Sequence, residues 1–146
     1  MQTFITDYNP NISAASLDNK RLGKQRVEAL QIADCLLNKE SRWVNHPAVK
    51  MWRGYEPYLV KVYILTIMNE WESRGFKNTK CAEWWQKLYQ IVRNQRIKVP
   101  VWLDDNFIEA HRSNLLRKLP EFYSSKFPNT KSGLEYIWPV GGENGR

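Results

Sequence analysis

The sequence predicts an all-α fold, a compact single-domain helical bundle with a central buried helix near residues 56–74. Apolar residues recur at helical spacing in several segments, whereas the strict alternation typical of strands is nearly absent. The segment 56–74 is apolar around most of its circumference, which is typical of a helix surrounded by others. At 146 residues the chain suits one domain, because a domain near this size buries about 68–70% of its unfolded surface without a staple.

The first elements follow from capping and turn signals. We expect residues 1–15 to form an irregular N-terminal arm, with a turn at Asn9–Asn11. Ser16 or Asp18 is placed to cap the first helix, which we expect to run to about Asn38.

A polar connection over residues 39–45 separates this helix from a short second one. Pro47 suits the first position of that helix, and Asn45 is a candidate cap. The central helix then follows over residues 56–74, and Gly75 is expected to end it as a left-handed cap.

Two further helices are expected in the second half of the chain. One spans residues 80–93, before Pro100 breaks the chain. The other covers residues 106–118, capped by Asp104 or Asp105. Pro120 stops this helix or starts a following turn. The single domain, residues 1–146, is expected to finish in a flexible tail over residues 140–146.

The composition favours an anionic partner. The net charge is +7, and cations recur at residues 20–26, 93–98 and 112–118 rather than in one tail. The chain also has seven Trp and seven Tyr, many beside charged residues. Aromatic rings next to cations can stack on bases while Lys and Arg hold phosphates. The alternative is that most of these rings build the core of a small helical domain.

Other classes of protein are disfavoured. Cys35 and Cys81 lie in separate segments without a CxxC pair, and there are only two histidines, so we expect no metal site and no cofactor. No Gly-rich phosphate loop or serine elbow appears. No apolar run approaches the ~18 residues of a membrane span, and the N-terminal residues lack the basic-then-apolar pattern of a signal sequence, so a soluble cytoplasmic protein is expected.

The most informative segment is LDNKRLGKQRVEA, residues 17–29. At about 100° per residue, Arg21, Lys24 and Glu28 share one helical face, whereas the apolar residues point largely to the other. The alternative is a solvent-exposed helix face without a binding function, in which Lys24 and Glu28 form an ordinary i,i+4 ion pair. The segment places the carboxylate of Glu28 near four cations: Lys20, Arg21, Lys24 and Arg26.

Three more segments carry candidate binding residues. The start of the second helix offers N–H groups and a positive dipole end to a phosphate, although His46 there is also a plausible cap. The segment 111–118 combines cations with an amide, or is simply a surface helix with core leucines. The ring pair near the C-terminus could close over a ligand. The candidates are Asn45, His46, Arg53, His111, Arg112, Asn114, Arg117, Lys118, Tyr136 and Trp138.

One reaction fits a site made of carboxylates, cations and an amine. Breaking the glycosidic bond of an extruded nucleotide develops cationic character on the sugar. A carboxylate can stabilise that charge or orient the nucleophile, while arginines hold the flanking phosphates. Glu28 in its basic stripe meets this requirement without a cofactor.

Several motifs resemble the pyrimidine-dimer DNA glycosylase family, the phage-type endonuclease V group and its relatives. They are LDNKRLGKQRVEA, WVNHPAVKMWRGYE, ESRGF, HRSNLLRKLPEFY and YIWP, and the likeness extends over about residues 3–139. The resemblance implies a compact helical fold and excision of cyclobutane pyrimidine dimers from duplex DNA. It also implies that the N-terminal α-amine attacks C1′ to form a Schiff base, with strand cleavage following by β-elimination.

The resemblance also assigns residues. The essential glutamate of the family matches Glu28, and a family histidine matches His46. The family arginine next to the glutamate falls on Val27, with Arg26 one position earlier. Residue 2 is Gln, which is too bulky for removal of the initiator Met to be expected, so the terminal amine would belong to Met1. An α-amine with a pKa of about 7.7–8.0 is a workable nucleophile.

Our leading hypothesis is a DNA glycosylase that acts on a damaged or modified pyrimidine, with abasic-site lyase activity through the N-terminal amine. Arg21, Lys24, Arg26, Arg53, Arg112 and Arg117 are then expected to hold phosphates. The main alternative is a non-catalytic protein that binds a small nucleotide, as a sequestering protein or a sensor. A third reading is an architectural DNA-binding protein, for which replacing Glu28 would matter little.

Overall fold

The computed structural model describes residues 1–38 and 42–140, and within them every regular element is helical, which confirms the predicted all-α fold. The helices are α1 Pro10–Ala15, α2 Asn19–Asn38, a 3-10 helix Arg42–Asn45, α3 Pro47–Trp52, α4 Glu56–Tyr58, a π segment Leu59–Ile64, α5 Leu65–Ser73, α6 Thr79–Val92, α7 Asp105–Lys118 and α8 Pro120–Tyr123. No helix in the described part is long and apolar enough to cross a membrane.

The predicted central helix is present as α4, the π segment and α5, which follow one another without a break. Leu59, Val60 and Ile64 in the π segment are fully buried, because the helix packs against α2 and α6. Gly75 has a φ of +90°, a left-handed conformation that Gly adopts without strain, and it ends the helix as predicted.

The N-terminal arm differs from the prediction. Residues 1–15 were expected to be irregular, but α1 occupies the second part of this segment. The Asn9 side chain accepts hydrogen bonds from the backbone N–H groups of Asn11 and Ile12, and Pro10 takes the first helical position. The Asn-Pro pair that suggested a turn is therefore a helix start, since the same residues favour both.

Helix α2 buries the apolar face that the sequence predicted. Its inward residues, which pack against α5 and α6, are Leu22, Ala29, Leu30, Ala33 and Leu36. The opposite face carries the cations of residues 20–24 and Glu28, and it is more exposed. The register of α2 therefore places the basic stripe outside the core.

Helix boundaries agree with the predictions to within one or two residues, with one change of cap. His46, not Asn45, caps α3, because its Nδ1 accepts a hydrogen bond from Ala48 N at 3.0 Å. Asp104 caps α7 by accepting from Phe107 N at 2.9 Å. The predicted polar connection lies partly outside the described residues, as does the predicted flexible tail except for residue 140.

Many of the aromatic residues build the core, as the alternative interpretation proposed. Trp52 is fully buried, and its ring centroid lies 5.0 Å from that of Trp102 in a T-shaped arrangement. Phe107 packs 4.8 Å from Trp102. These rings contribute burial rather than a surface for bases.

Candidate active site

Residues 2–6 form a buried segment without regular secondary structure at the N-terminus. Its backbone N–H groups donate to side chains instead of to another strand: Gln2 N to Glu28 Oε1 at 3.4 Å, Thr3 N to Gln2 Oε1 at 2.8 Å, Phe4 N to Gln25 Oε1 at 2.8 Å, Ile5 N to His111 Nδ1 at 3.0 Å and Thr6 N to Ser13 Oγ at 2.9 Å. Because buried N–H groups need partners, these acceptors hold the start of the chain against α2, α1 and α7.

A cavity of about 340 Å³ opens where this segment meets α2, the end of α7 and the segment 136–138. Its volume falls within the roughly 300–1,000 Å³ of small-molecule sites. The cavity therefore has room for one compact group such as a nucleoside. Its lining residues are Met1, Gln2, Phe4, Lys20, Arg21, Lys24, Gln25, Glu28, Lys118, Tyr136 and Trp138.

Glu28 is the only acidic residue that lines the cavity within the part of the chain that the structure describes. It is half-buried, and its Oε1 accepts the hydrogen bond from Gln2 N. Its negative charge reaches several neighbours. Together with the larger effect of burial, it raises the pKa of Tyr63. A carboxylate thus lies beside the first peptide bond of the chain.

Four cations surround this carboxylate. Lys20, Lys24 and Lys118 are exposed at the mouth, while the Arg21 guanidinium lies 3.3 Å from the Asp18 carboxylate. Burial lowers the pKa of Lys118, and the positive charges of Arg117, Arg21 and Lys24 lower it further. Cations close enough to repel one another are stabilised by an anion, so the mouth of the cavity suits phosphate.

Aromatic rings form another wall. Tyr136 lies 6.2 Å from Phe4 and 5.7 Å from Trp138, measured between ring centroids. The ring centroid of His46 lies 6.3 Å from that of Trp138 and 6.1 Å from that of Trp43. The row of rings runs from the buried Phe4 to the exposed Trp43, and it offers stacking surfaces beside the cations.

His46 borders the cavity without lining it. Its pKa is lowered by burial and then by the N-terminal amine, whereas the charge of Glu28 raises it. The neutral ring accepts from Ala48 N at Nδ1, so its hydrogen is on Nε2. In this state His46 is a hydrogen-bond donor near the chain terminus.

Arg26, which the sequence placed with the catalytic residues, lies outside the cavity. Its guanidinium donates to Asn78 Oδ1 at 2.8 Å and stacks 4.6 Å from the Trp71 ring centroid. Two positions before Glu28 on α2, it points to a different face of the helix. Val27, at the position of the family arginine, is 36% exposed and does not line the cavity either.

Most of the candidates in segment 111–118 are also outside the cavity. His111 and Asn114 are buried, and Arg112 donates from Nε to Thr6 O at 2.7 Å. Arg117 is exposed and donates to Asn114 Oδ1 at 2.7 Å. Only Lys118 reaches the lining, because it is the last residue of α7.

The candidates before α3 lie elsewhere as well. Arg53 donates to Val44 O at 3.3 Å, and Asn45 is exposed in the 3-10 helix. Neither lines the cavity. We expected Asn45 and Arg53 to form a phosphate site with the start of α3. The cavity does not include them, and the side chain of His46 already accepts a hydrogen bond from the N-terminus of that helix.

Sequence reasoning missed three lining residues, Gln2, Phe4 and Gln25. Gln25 follows Arg21 by four positions and precedes Glu28 by three, so helical spacing could have identified it. Gln2 and Phe4 belong to an irregular segment whose placement depends on contacts distant in sequence. No local pattern points to them.

The family model described as pyrimidine dimer DNA glycosylase matches residues 1–84, which is more than half of the 146-residue chain. No curated protein and no solved structure matches the chain. The matched range holds Glu28 and His46, whereas Lys118, Tyr136 and Trp138 complete the cavity from outside it. The chain therefore belongs to the pyrimidine dimer DNA glycosylase family, and it is an enzyme, a DNA glycosylase, with DNA as its substrate.

Proposed function

We propose that the protein excises a pyrimidine of a cyclobutane dimer from duplex DNA, with Glu28 as the catalytic carboxylate. One observation carries the proposal. Glu28 lies in a cavity surrounded by Lys20, Arg21, Lys24 and Lys118, next to the nitrogen of residue 2. A single carboxylate in a basic cavity binds a polyanion and still offers one negative charge to the reacting sugar.

The cations hold the DNA backbone. Lys20, Lys24 and Lys118 are exposed at the mouth, where phosphates on either side of the damaged site can reach them. Each neutralised phosphate releases counterions, which makes binding weaker at higher salt. Arg117, beside Lys118, extends the same positive surface.

The carboxylate acts on the glycosidic bond. As that bond breaks, its electron pair leaves with the base nitrogen and positive character develops at C1′. The negative charge of Glu28 stabilises C1′ at this stage. The unprotonated N-terminal amine supplies the nucleophile: its lone pair forms a C1′–N bond, and the proton that this nitrogen then loses passes through solvent to the departing base nitrogen. The nitrogen lone pair next forms the C=N bond of a protonated imine as the C1′–O4′ bond breaks, and O4′ takes up a proton from water. Removal of a C2′ proton then breaks the C3′–O bond, and the 3′ phosphate leaves by β-elimination.

The position of the amine supports this scheme. With Met1 in place, its α-amine is near His46, whose pKa it lowers, and Met1 itself lines the cavity. The atom that donates to Glu28 is the nitrogen of Gln2, at 3.4 Å. We assign the nucleophile to the amine of Met1, and a chain that had lost Met1 would present the amine of Gln2 to the same carboxylate.

Borohydride trapping tests the proposal. A duplex with one thymine dimer is incubated with the protein, and reduction of the imine is expected to leave a covalent adduct whose mass and peptide map identify the linked residue. An undamaged duplex is the control. A variant with two residues added before Met1 displaces the amine, and it is expected to lose the adduct. Absence of an adduct together with intact glycosidic bonds would refute the proposal. Tight binding of a free nucleotide that is recovered unaltered would instead favour the nucleotide-binding alternative.

The phage-type grouping within the family stays a prediction. The family match covers only residues 1–84, and the motifs of residues 111–123 and the terminal YIWP lie beyond it.

A further inference from the structure

Gln25 forms the buried floor of the cavity. Its side chain is 2% exposed, although it lines the cavity together with Phe4 and Glu28. Its Oε1 accepts from Phe4 N at 2.8 Å, and it also lies 3.0 Å from the Tyr63 hydroxyl. Because the Phe4 N–H needs an acceptor, these contacts fix which end of the carboxamide is oxygen.

The other end of this amide is unused. Gln25 Nε2 has no hydrogen-bond partner among the described residues, while the side chain itself borders the cavity. Among the described residues, the fully buried side-chain atoms without a partner are Arg26 Nε and His111 Nε2, so Gln25 Nε2 is still reached by solvent through the cavity that it lines. It is therefore free to donate to a ligand that offers an acceptor. Burial raises the pKa of Tyr63, so its hydroxyl stays neutral and the arrangement persists at physiological pH.

Polarity changes from the mouth of the cavity to its floor. Lys20, Lys24 and Lys118 at the mouth are exposed cations, whereas Gln25 and Phe4 at the floor are neutral and buried. Phosphates are stabilised by cations and solvent, whereas a base can be buried against aromatic rings and one amide. A nucleotide in the cavity is therefore oriented with its phosphates at the mouth and its base at the floor.

We infer that Gln25 is a specificity-determining residue whose Nε2 donates to a ring carbonyl of the pyrimidine. This inference rests on the proposed function. Gln25 and Glu28 are three residues apart on α2, a spacing of about 5–6 Å between Cβ atoms. If Glu28 lies beside C1′, the part of the base that reaches Gln25 is the side of the ring opposite the glycosidic bond. That side carries the C4 carbonyl, so the C4 oxygen is the expected acceptor. The C2 carbonyl is next to the glycosidic bond and therefore lies closer to Glu28.

The test compares dimers of thymine with dimers of 5-methylcytosine, assayed before deamination. These bases have the same methyl group and C2 carbonyl and differ along the C4–N3 edge, where an amino donor replaces the carbonyl acceptor at C4 and N3 loses its hydrogen. The wild-type chain is expected to excise the thymine dimer faster, by about 10-fold or more in kcat/KM, because the amino group faces the Gln25 donor without an acceptor.

The Gln25→Glu variant sharpens this test. It keeps an oxygen for Phe4 N and Tyr63 and replaces the NH₂ donor with an acceptor, so the preference is expected to reverse toward 5-methylcytosine. Comparing two substrates on one variant cancels any general effect of the added charge on Glu28. Gln86→Glu makes the same change on α6 at an exposed position outside the cavity, and it is expected to keep the wild-type preference.

The outcomes separate the two proposals. A wild-type chain that excises neither dimer refutes the proposed function. A wild-type chain that excises both equally overturns the inference about Gln25, whatever the stability of the variant. An unchanged preference in folded Gln25→Glu overturns it as well, and a reversed preference supports it.

Discussion

Helices α2 and α7 carry similar clusters of cations and polar residues, yet the structure uses them differently. In α2, Lys20, Lys24 and Glu28 face the cavity. In α7, His111 and Asn114 are buried and only Lys118 reaches it. A basic segment with an amide and a histidine therefore does not by itself indicate a nucleic-acid interface.

The cause of the difference is what packs against each helix. The buried segment of residues 2–6 lies over α7, where His111 accepts from Ile5 N and Arg112 donates to Thr6 O. These polar groups satisfy backbone groups that folding removes from water. On α2 the same segment covers Gln25 and reaches Glu28 but leaves the lysines exposed.

The largest effect that this comparison predicts is on Glu28. Glu28→Gln keeps the size of the side chain and removes its charge, so single-turnover excision of a thymine dimer is expected to fall about 10²–10³-fold. Binding to the same duplex, measured by fluorescence anisotropy, should change little. Glu121→Gln, at an exposed site outside the cavity, is the control. Full activity of Glu28→Gln would show that the acid is misassigned.

A change in α7 should affect stability instead. Asn114 donates to Ala110 O at 2.8 Å and to Leu134 O at 3.1 Å. Asn114→Ala removes both hydrogen bonds of a buried side chain, including the one that ties the segment at Leu134 to α7, so the free energy of unfolding in urea is expected to fall by about 1–3 kcal/mol. Asn106→Ala, exposed on the same helix, should stay within about 0.5 kcal/mol of wild type. Equal stability of the two variants would show that the buried hydrogen bonds of Asn114 do not stabilise the fold.

The buried histidine of α7 predicts a pH dependence. Burial lowers the pKa of His111 from 6.5 to about 3, so the folded chain stays unprotonated there while the unfolded chain takes up a proton below pH 6.5. The free energy of unfolding should therefore fall as the pH falls from 6.5 toward 3, by up to about 1.4 kcal/mol per pH unit. His111→Asn is expected to lose this part of the slope in urea titrations at several pH values. Identical slopes would mean that His111 is protonated in the folded chain.

The smallest expected effect is that of single lysines on DNA binding. Lys24→Ala and Lys118→Ala should each reduce the slope of log K against log salt concentration by about 1, because each removes one phosphate contact. Arg112→Ala, in which the lost contacts are to Thr6 O and to Asp7, should leave the slope unchanged. Lys87→Ala on the exposed part of α6 controls for net charge. If only Arg112→Ala reduced the slope, the phosphate contacts would be made by α7 and not by the lysines at the cavity.

Helical periodicity predicted the fold well. The apolar positions of α2 and the central helix are buried as their spacing indicated, because a helix with one apolar face has one way to bury it. Capping residues were less certain guides. Asn9 and Pro10 suggested a turn but begin α1, and His46 took the place expected for Asn45, since several neighbouring residues can cap the same helix.

Local sequence patterns were enough to locate the longer helices and to place Glu28 among cations on one face of α2, because both follow from the 3.6-residue period, whereas the short helix α1 was not predicted. Which polar residues share the cavity depends instead on how distant parts of the chain pack together. The N-terminal segment has no period, and its place is set by hydrogen bonds to Gln25, Glu28 and His111, which are 21, 26 and 106 positions away from their donors. Contacts of that range depend on the folded chain and leave no local pattern.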